Sequence, residues 1–235
     1  MAFSSAKSPF AEPALARRIA RAALSVSFEQ LAPEVAAKVK TGLLDVLSCA
    51  FEARTLPWGE QAIRVASRSA GPVAIIGTGY RTSAAEAAFA NAVLGHGLVR
   101  EDMHTAAVSH LGVVIYPVLL ALTEAAGKKA RISGRDFILA AMCGYEVGAA
   151  IGRALMDRDL VRRLRPTGIT GPLAGAMAGS RLLGLDEGAA ASALGLAANS
   201  TAGLNEWPFS GGDEMFFHPG FAARSAVTAV QLAAL

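Results

Sequence analysis

Three of the four histidines of this chain, His96, His104 and His110, fall within the stretch Asn91 to Leu122, and the acidic pair Glu101 and Asp102 stands among them. Imidazoles and carboxylates are the side chains that move protons near neutral pH. Held together they push one another's pKa values apart, so that one serves as acid and another as base. His110 has the strongest case for that work. It follows Ser109 and lies just before Gly112, at the mouth of an expected helix whose positive dipole end faces it. Its structural alternative is a histidine bonded to a backbone carbonyl. Asp102 and His104 form a candidate oriented pair and complete the catalytic set. No metal is expected, because the His/Asp spacing matches no metal-ligand motif. Arg165 closes a basic run that starts at Arg158, and its guanidinium fork suits a carboxylate; the run also reads as a solvated helix end. Arg165, Arg100, His96 and His218 are the candidate substrate-binding residues, with His96 and His218 also reading as structural supports.

The elements that must hold these groups read as helices. Leu15, Ile19 and Ala22 share one face of a first helix, against Arg17, Arg18 and Arg21 on another. Ser27 is placed to cap a second helix, with Pro33 in its first turn and apolar residues recurring from Leu31 to Phe51. A short helix follows over Gln61 to Ser69, then a strand or extended link at Pro72 to Ile76. Gly77-Thr78-Gly79 lacks the glycine and lysine spacing of a phosphate loop. Ser83 with Glu86, Ser133 with Asp136, and Asp186 mark later helix starts, and Gly184 marks a helix end. Gly112 to Ala126 is a helix with Pro117 inside it, and Tyr145 and Glu146 sit mid-helix, placed for a buried hydrogen bond. Pro166 to Pro172 reads as a Gly/Pro-rich link, and Asn199 to Asp213 as a long loop where Trp207 and Phe209 pack. The His218-Pro219-Gly220 segment precedes a last apolar helix that runs to Leu235. The class is all-α, in one helical domain over residues 1–235.

Composition narrows the function. Hydrophobic residues make up 53% and charged residues 17%, enough for a large core and against disorder. The net charge of +3 is slight, and no Lys/Arg block interleaves with aromatics, which argues against nucleic acid as partner. The apolar runs are short or broken by Gly, Pro, Asn and charge, so no membrane span is expected. Cys49 and Cys143 lie in apolar stretches without ligand spacing, as buried, reduced thiols of a cytoplasmic protein would. Met1 to Leu24, rich in Ser and Arg, reads as the approach to an ordinary first helix rather than a transit peptide, given Glu12.

Several stretches, in order, resemble the family of 2-methylcitrate dehydratase and cis-aconitate decarboxylase, MmgE/PrpD. They are Lys38 to Phe51, Ala84 to Ala92 leading to Gly95-His96, Glu101-Asp102, His110 to Pro117, Gly144 to Glu146, Pro166 to Gly171, Leu182 to Asp186 and His218 to Ala223. The resemblance implies a helical domain forming one side of a cleft, usually in a homodimer, and closed by a smaller α/β domain that this sequence does not contain. It implies cofactor-free elimination, decarboxylation or epimerisation of small polycarboxylates. Four positions depart from the family pattern: Val99 where an Asp is usual, Leu111 for Pro, Arg165 for His and Met215 for Lys. Val99 cannot take a proton and Met215 cannot neutralise an oxyanion. Two readings follow. One is a lyase or isomerase of altered chemistry on a small anionic or conjugated substrate. The other is an inactive helical half that binds or assembles with a lid-bearing partner. A third, motivated by the apolar end at Leu235, is a piece of a longer enzyme.

Overall fold

The computed structural model describes residues 13–235; Glu12 and the residues before it, part of the expected approach to the first helix, lie outside that range. The chain runs α1 (Leu15–Leu24), α2 (Pro33–Glu52), α3 (Pro57–Ala66), the strands β1 (Val73–Ala74) and β2 (Arg81–Thr82), α4 (Ala84–His96), α5 (Gly112–Ala126) and α6 (Gly134–Leu155). It continues through α7 (Leu160–Arg163), α8 (Pro166–Leu182), α9 (Glu187–Ala198), α10 (Trp207–Ser210) and α11 (His218–Ala233). The two strands pair antiparallel, Val73 opposite Thr82. The rest is helix and loop, so the fold is all-α.

Local signals set most helix starts. Ser83 Oγ accepts from Glu86 N, Ser133 and Asp136 cap each other reciprocally, and Asp186 Oδ1 accepts from Ala189 N at 2.8 Å. These oxygens satisfy amides that the first turn leaves free. Gly184 ends α8 with φ 66°, a left-handed turn that glycine adopts without a Cβ clash. Two starts differ from the sequence reading. Ser27 caps a short 3-10 turn, Phe28–Gln30, and α2 begins only at Pro33; α3 begins at Pro57 rather than Gln61. Proline in the first turn loses no helical hydrogen bond, so both prolines serve as start signals.

The larger correction concerns Pro166 to Pro172. The expected link is the opening of α8, the helix around which α5, α6, α9 and α11 pack. Gly171, Gly175 and Gly179 lie four residues apart on one face. A Cβ at Gly175 would come within 2.7 Å of Ala226 Cβ, and one at Gly179 within 2.7 Å of Leu122 Cδ1. These glycines are contact surface, and the close packing of helices outweighs their cost in helix propensity. Pro172 removes the bond that Gly168 O would accept within the helix. Ala202 N donates to Gly168 O instead, at 3.2 Å, from the following loop. That loop, 199–213, is also not wholly irregular: Leu204 bridges to Leu164, and Trp207–Ser210 forms one helical turn.

Every residue of α4 from Ala87 to His96 is buried, as expected for a helix apolar all round and enclosed by α2, α3, α5 and α11. By length and apolar composition alone α6, with 22 residues, could cross a bilayer, but 56% of that apolar stretch is buried, as in a core helix. Cys49 and Cys143 are buried and free, and burial raises both thiols, Cys143 to about 11.

Candidate active site

Three helix ends converge on one buried carboxylate. His96 is the last residue of α4, His110 lies in the turn before α5, and Arg165 is the N-cap of α8. Between the first two, Glu101 lies in the connecting loop with its side chain fully buried. Glu101 Oε1 is in short hydrogen-bond contact with His96 Nδ1 and lies 3.0 Å from His110 Nδ1. The two rings meet edge to face at 4.9 Å. Arg165 Nη2 lies 3.0 Å from His96 Nε2.

These contacts assign the protons. A guanidinium only donates, so His96 Nε2 accepts from Arg165, and Nδ1 must carry the hydrogen donated to Glu101. His96 is therefore the neutral imidazole with Nδ1 protonated. Its electrostatics agree: burial lowers its pKa more strongly than Glu101 raises it. For Glu101, burial alone would raise the pKa, but the bonds to His110 and His96 outweigh it and hold the group down to about 2. Glu101 is thus an ionised carboxylate shared by two imidazoles. Burial lowers Arg165 as well, while Glu101 supports its charge.

Small hydroxyl residues fix the frame. His110 N donates to Thr167 Oγ1 at 3.0 Å, and Ser109 Oγ bonds Thr170 Oγ1 at 2.7 Å, which in turn donates to Pro166 O. The loop carrying Glu101 is thereby tied to the first turn of α8. Arg165 N donates to Gly203 O at 3.0 Å, and Gly203 leaves room for both Arg165 and His218: a Cβ there would lie 3.2 Å from Arg165 Cβ and 3.5 Å from His218 Cδ2. His218 opens α11, and burial followed by the nearby Arg165 charge lowers its pKa. Glu101 Oε2, Arg165 Nε and His218 Nδ1 are all buried without a hydrogen-bond partner. Such a concentration of unsatisfied polar atoms marks a place made for further polar groups. His110 is the one member of the imidazole–carboxylate trio with any side-chain exposure, 11% against none for His96 and Glu101.

The predicted residues separate into groups. His96, His110 and Arg165 come together, with His218 beside them. Asp102 and His104 do not form an oriented pair: Asp102 Oδ2 accepts from Tyr145 OH at 2.9 Å, and His104 Nδ1 accepts from Ala107 N. Asp102 N donates to Asp45 Oδ2, and burial raises the Asp102 pKa. Tyr145 makes the buried hydrogen bond expected of it. Arg100 turns to Glu52 at 2.7 Å on the surface. Arg162 and Arg163 are the solvated helix end that the basic run suggested, whereas Arg165 points inward. Glu101 is the residue that sequence reading passed over for a role. Its signal was a carboxylate between two histidines, one on each side in the chain.

The loop is strained. Val99 and Val108 have φ 50° and 49°, a left-handed region that β-branched residues rarely occupy. Val99 N donates to His96 O, and His104 pairs with Ser109, holding the loop in place. His96, Glu101 and His110 offer ligand atoms within 4.8 Å of one another. As arranged, Arg165 faces His96 Nε2 and the His96 Nδ1 hydrogen faces Glu101 Oε1, so both His96 nitrogens are already engaged.

Taken with its surroundings, this is an all-helical domain carrying an acid–base cluster at the meeting of helix ends. The chain belongs to the MmgE/PrpD family: the family's N-terminal-domain model matches residues 17–235. It is 31% identical over 209 residues to cis-aconitate decarboxylase of Aspergillus terreus, covering 87% of this chain and 42% of that protein. It is 32% identical over 206 residues to the cis-aconitate decarboxylase-like protein oryM of Aspergillus oryzae, covering 85% and 42%. Human cis-aconitate decarboxylase matches at 37% over 112 residues, 47% of this chain and 23% of that protein. The chain thus spans less than half the length of the curated relatives it matches.

Proposed function

We propose that this chain is the helical, acid–base half of a cofactor-independent lyase or isomerase that acts on a small anionic or conjugated carboxylate, with chemistry diverged from dehydration. The observation that carries this reading is the Glu101 carboxylate shared by His96 and His110, with Arg165 behind it. His110 is the group that takes or delivers the proton, because it alone of the trio reaches toward solvent. Glu101 holds its ring and stabilises the imidazolium that forms on proton uptake. Arg165 keeps donors free for a substrate carboxylate, since only one nitrogen is committed to His96. In an elimination, the base takes the proton beside the carboxylate, that bond's electrons form the double bond, and the leaving group departs. In a decarboxylation, carbon dioxide leaves without the bonding electrons and protonated His110 supplies the hydrogen to carbon.

The relatives' names support a lyase on cis-aconitate-like acids. The rest of the cleft would come from a further domain or from a lid-bearing partner, in a homodimer in a cytoplasmic setting. The test is turnover of cis-aconitate and related small carboxylates by the complete protein and by His110→Ala. Loss of turnover with unchanged circular dichroism is expected. Full activity in the variant, or no turnover of any such acid by the native protein, overturns the reading in favour of an inactive assembly subunit.

A further inference from the structure

A cleft of about 680 Å³ opens between α2, α6 and the loop segment that carries Asp102, on the side of that segment that Asp102 and His104 face. None of His96, Glu101, His110 or Arg165 lines it. Its volume is that of a small-molecule site. Val35, Val39 and Met142 make apolar walls, and Asp102 and Tyr145 supply polar groups. Tyr145 OH donates to Asp102 Oδ2 at 2.9 Å, while Asp102 Oδ1 is buried and accepts no hydrogen bond. Three carboxylates, Asp102, Glu34 and Glu146, line the cleft against one ammonium, Lys38. Tyr145 orients the Asp102 carboxylate, whose Oδ1 packs against Gly112 at the start of α5, and the exposed Glu34 and Glu146 give the mouth of the cleft its excess of negative charge.

From this geometry we infer that the cleft is a second ligand site, one that takes a small organic cation: an ammonium group on a short apolar stem. The head pairs with the carboxylates and the stem lies along Val35, Val39 and Met142. Apolar walls alone would admit a neutral or anionic amphiphile equally well; the carboxylate excess selects the cation. The cleft shares no lining residue with the acid–base cluster, and binding there needs no turnover to be seen.

The test is isothermal titration of the complete protein at neutral pH with hexylammonium, hexanol and hexanoate. Hexylammonium binds, and hexanoate of the same stem length binds at least tenfold more weakly. Asp102→Asn weakens hexylammonium binding about tenfold, as loss of a charge-assisted contact does. Val35→Trp, on the exposed face of α2, fills the cleft and abolishes binding, and Glu146→Gln gives a smaller loss if Asp102→Asn does not fold. Equal binding of hexanoate, no binding of hexylammonium, or hexylammonium binding indifferent to Val35→Trp overturns the proposal.

Discussion

Glu101 Oε1 lies 3.0 Å from His110 Nδ1 while also accepting the His96 Nδ1 hydrogen, so one buried carboxylate orients two imidazoles. Glu101→Gln preserves the shape but removes the charge. The acid–base account expects turnover to fall by about two to four orders of magnitude, the usual worth of a positioned proton-transfer group. Steady-state kinetics of the folded variant measures this. Glu101→Ala additionally leaves the His96 donor without an acceptor and destabilises the fold by about 3 kcal/mol, read from urea unfolding.

The same pair sets a pH limit on stability. His96 has a folded pKa below its ordinary 6.5 because burial disfavours its charged form. As pH falls below 6.5, the unfolded chain takes up this proton before the folded one, so stability declines. Glu101 adds to this decline lower down: its contribution is complete above its ordinary value of 4.5 and is lost as pH falls toward about 2. His218, also lowered, acts in the same direction as His96. Unfolding free energy measured from pH 7 to 4 therefore falls with acid, and His96→Gln flattens the upper part of the curve. An unchanged slope would separate His96 from the buried network.

In the proposed function Arg165 anchors the substrate anion. Arg165→Gln should raise KM for a carboxylate substrate by about tenfold or more, with a smaller effect on kcat, because the contact is made in the ground state as well. The measurement is a full substrate-dependence curve for each variant. Arg165→Lys recovers charge but not the fork and should fall between the two.

Close packing at the α8 glycines predicts a steric cost. Gly175→Ala places its methyl within 2.7 Å of Ala226 Cβ and 3.2 Å of Val118 Cγ2. The expected loss is about 1–3 kcal/mol in spite of alanine's better helix propensity. Gly195→Ala, where nothing lies within 4 Å, is the control and should stabilise or leave stability unchanged.

Much of this was legible in the residues, for local reasons. Ser133 with Asp136, Asp186 and Gly184 announce helix ends because capping is a matter of neighbours in the chain. The all-α class and the gathering of His96 and His110 follow from periodicity and spacing. Asp102 and His104, close in sequence, part company because the turn sends one to Tyr145 and the other to the Ala107 amide. Arg100 and Arg165 look alike in sequence, but the Leu164–Leu204 bridge and the bond from Arg165 N to Gly203 O fix the backbone where the Arg165 side chain is buried beside His96. The Gly/Pro run at 166–172 misleads because Gly171 is required by Val114 and Ala222 on other helices and Gly168 by Ala202 on a loop, while Pro172 is accommodated because Ala202 N donates to the carbonyl it leaves free. None of these partners is near in sequence.

The most direct measurement is solvent deuterium incorporation at carbon, followed by mass spectrometry, for cis-aconitate and related small carboxylates incubated in heavy water with the complete protein and with His110→Ala. The account predicts deuterium at the carbon beside a carboxylate with the native protein and none above background with His110→Ala, both proteins being equally folded. Equal incorporation by the two would show that His110 does not carry the proton and would contradict the acid–base role given to the cluster.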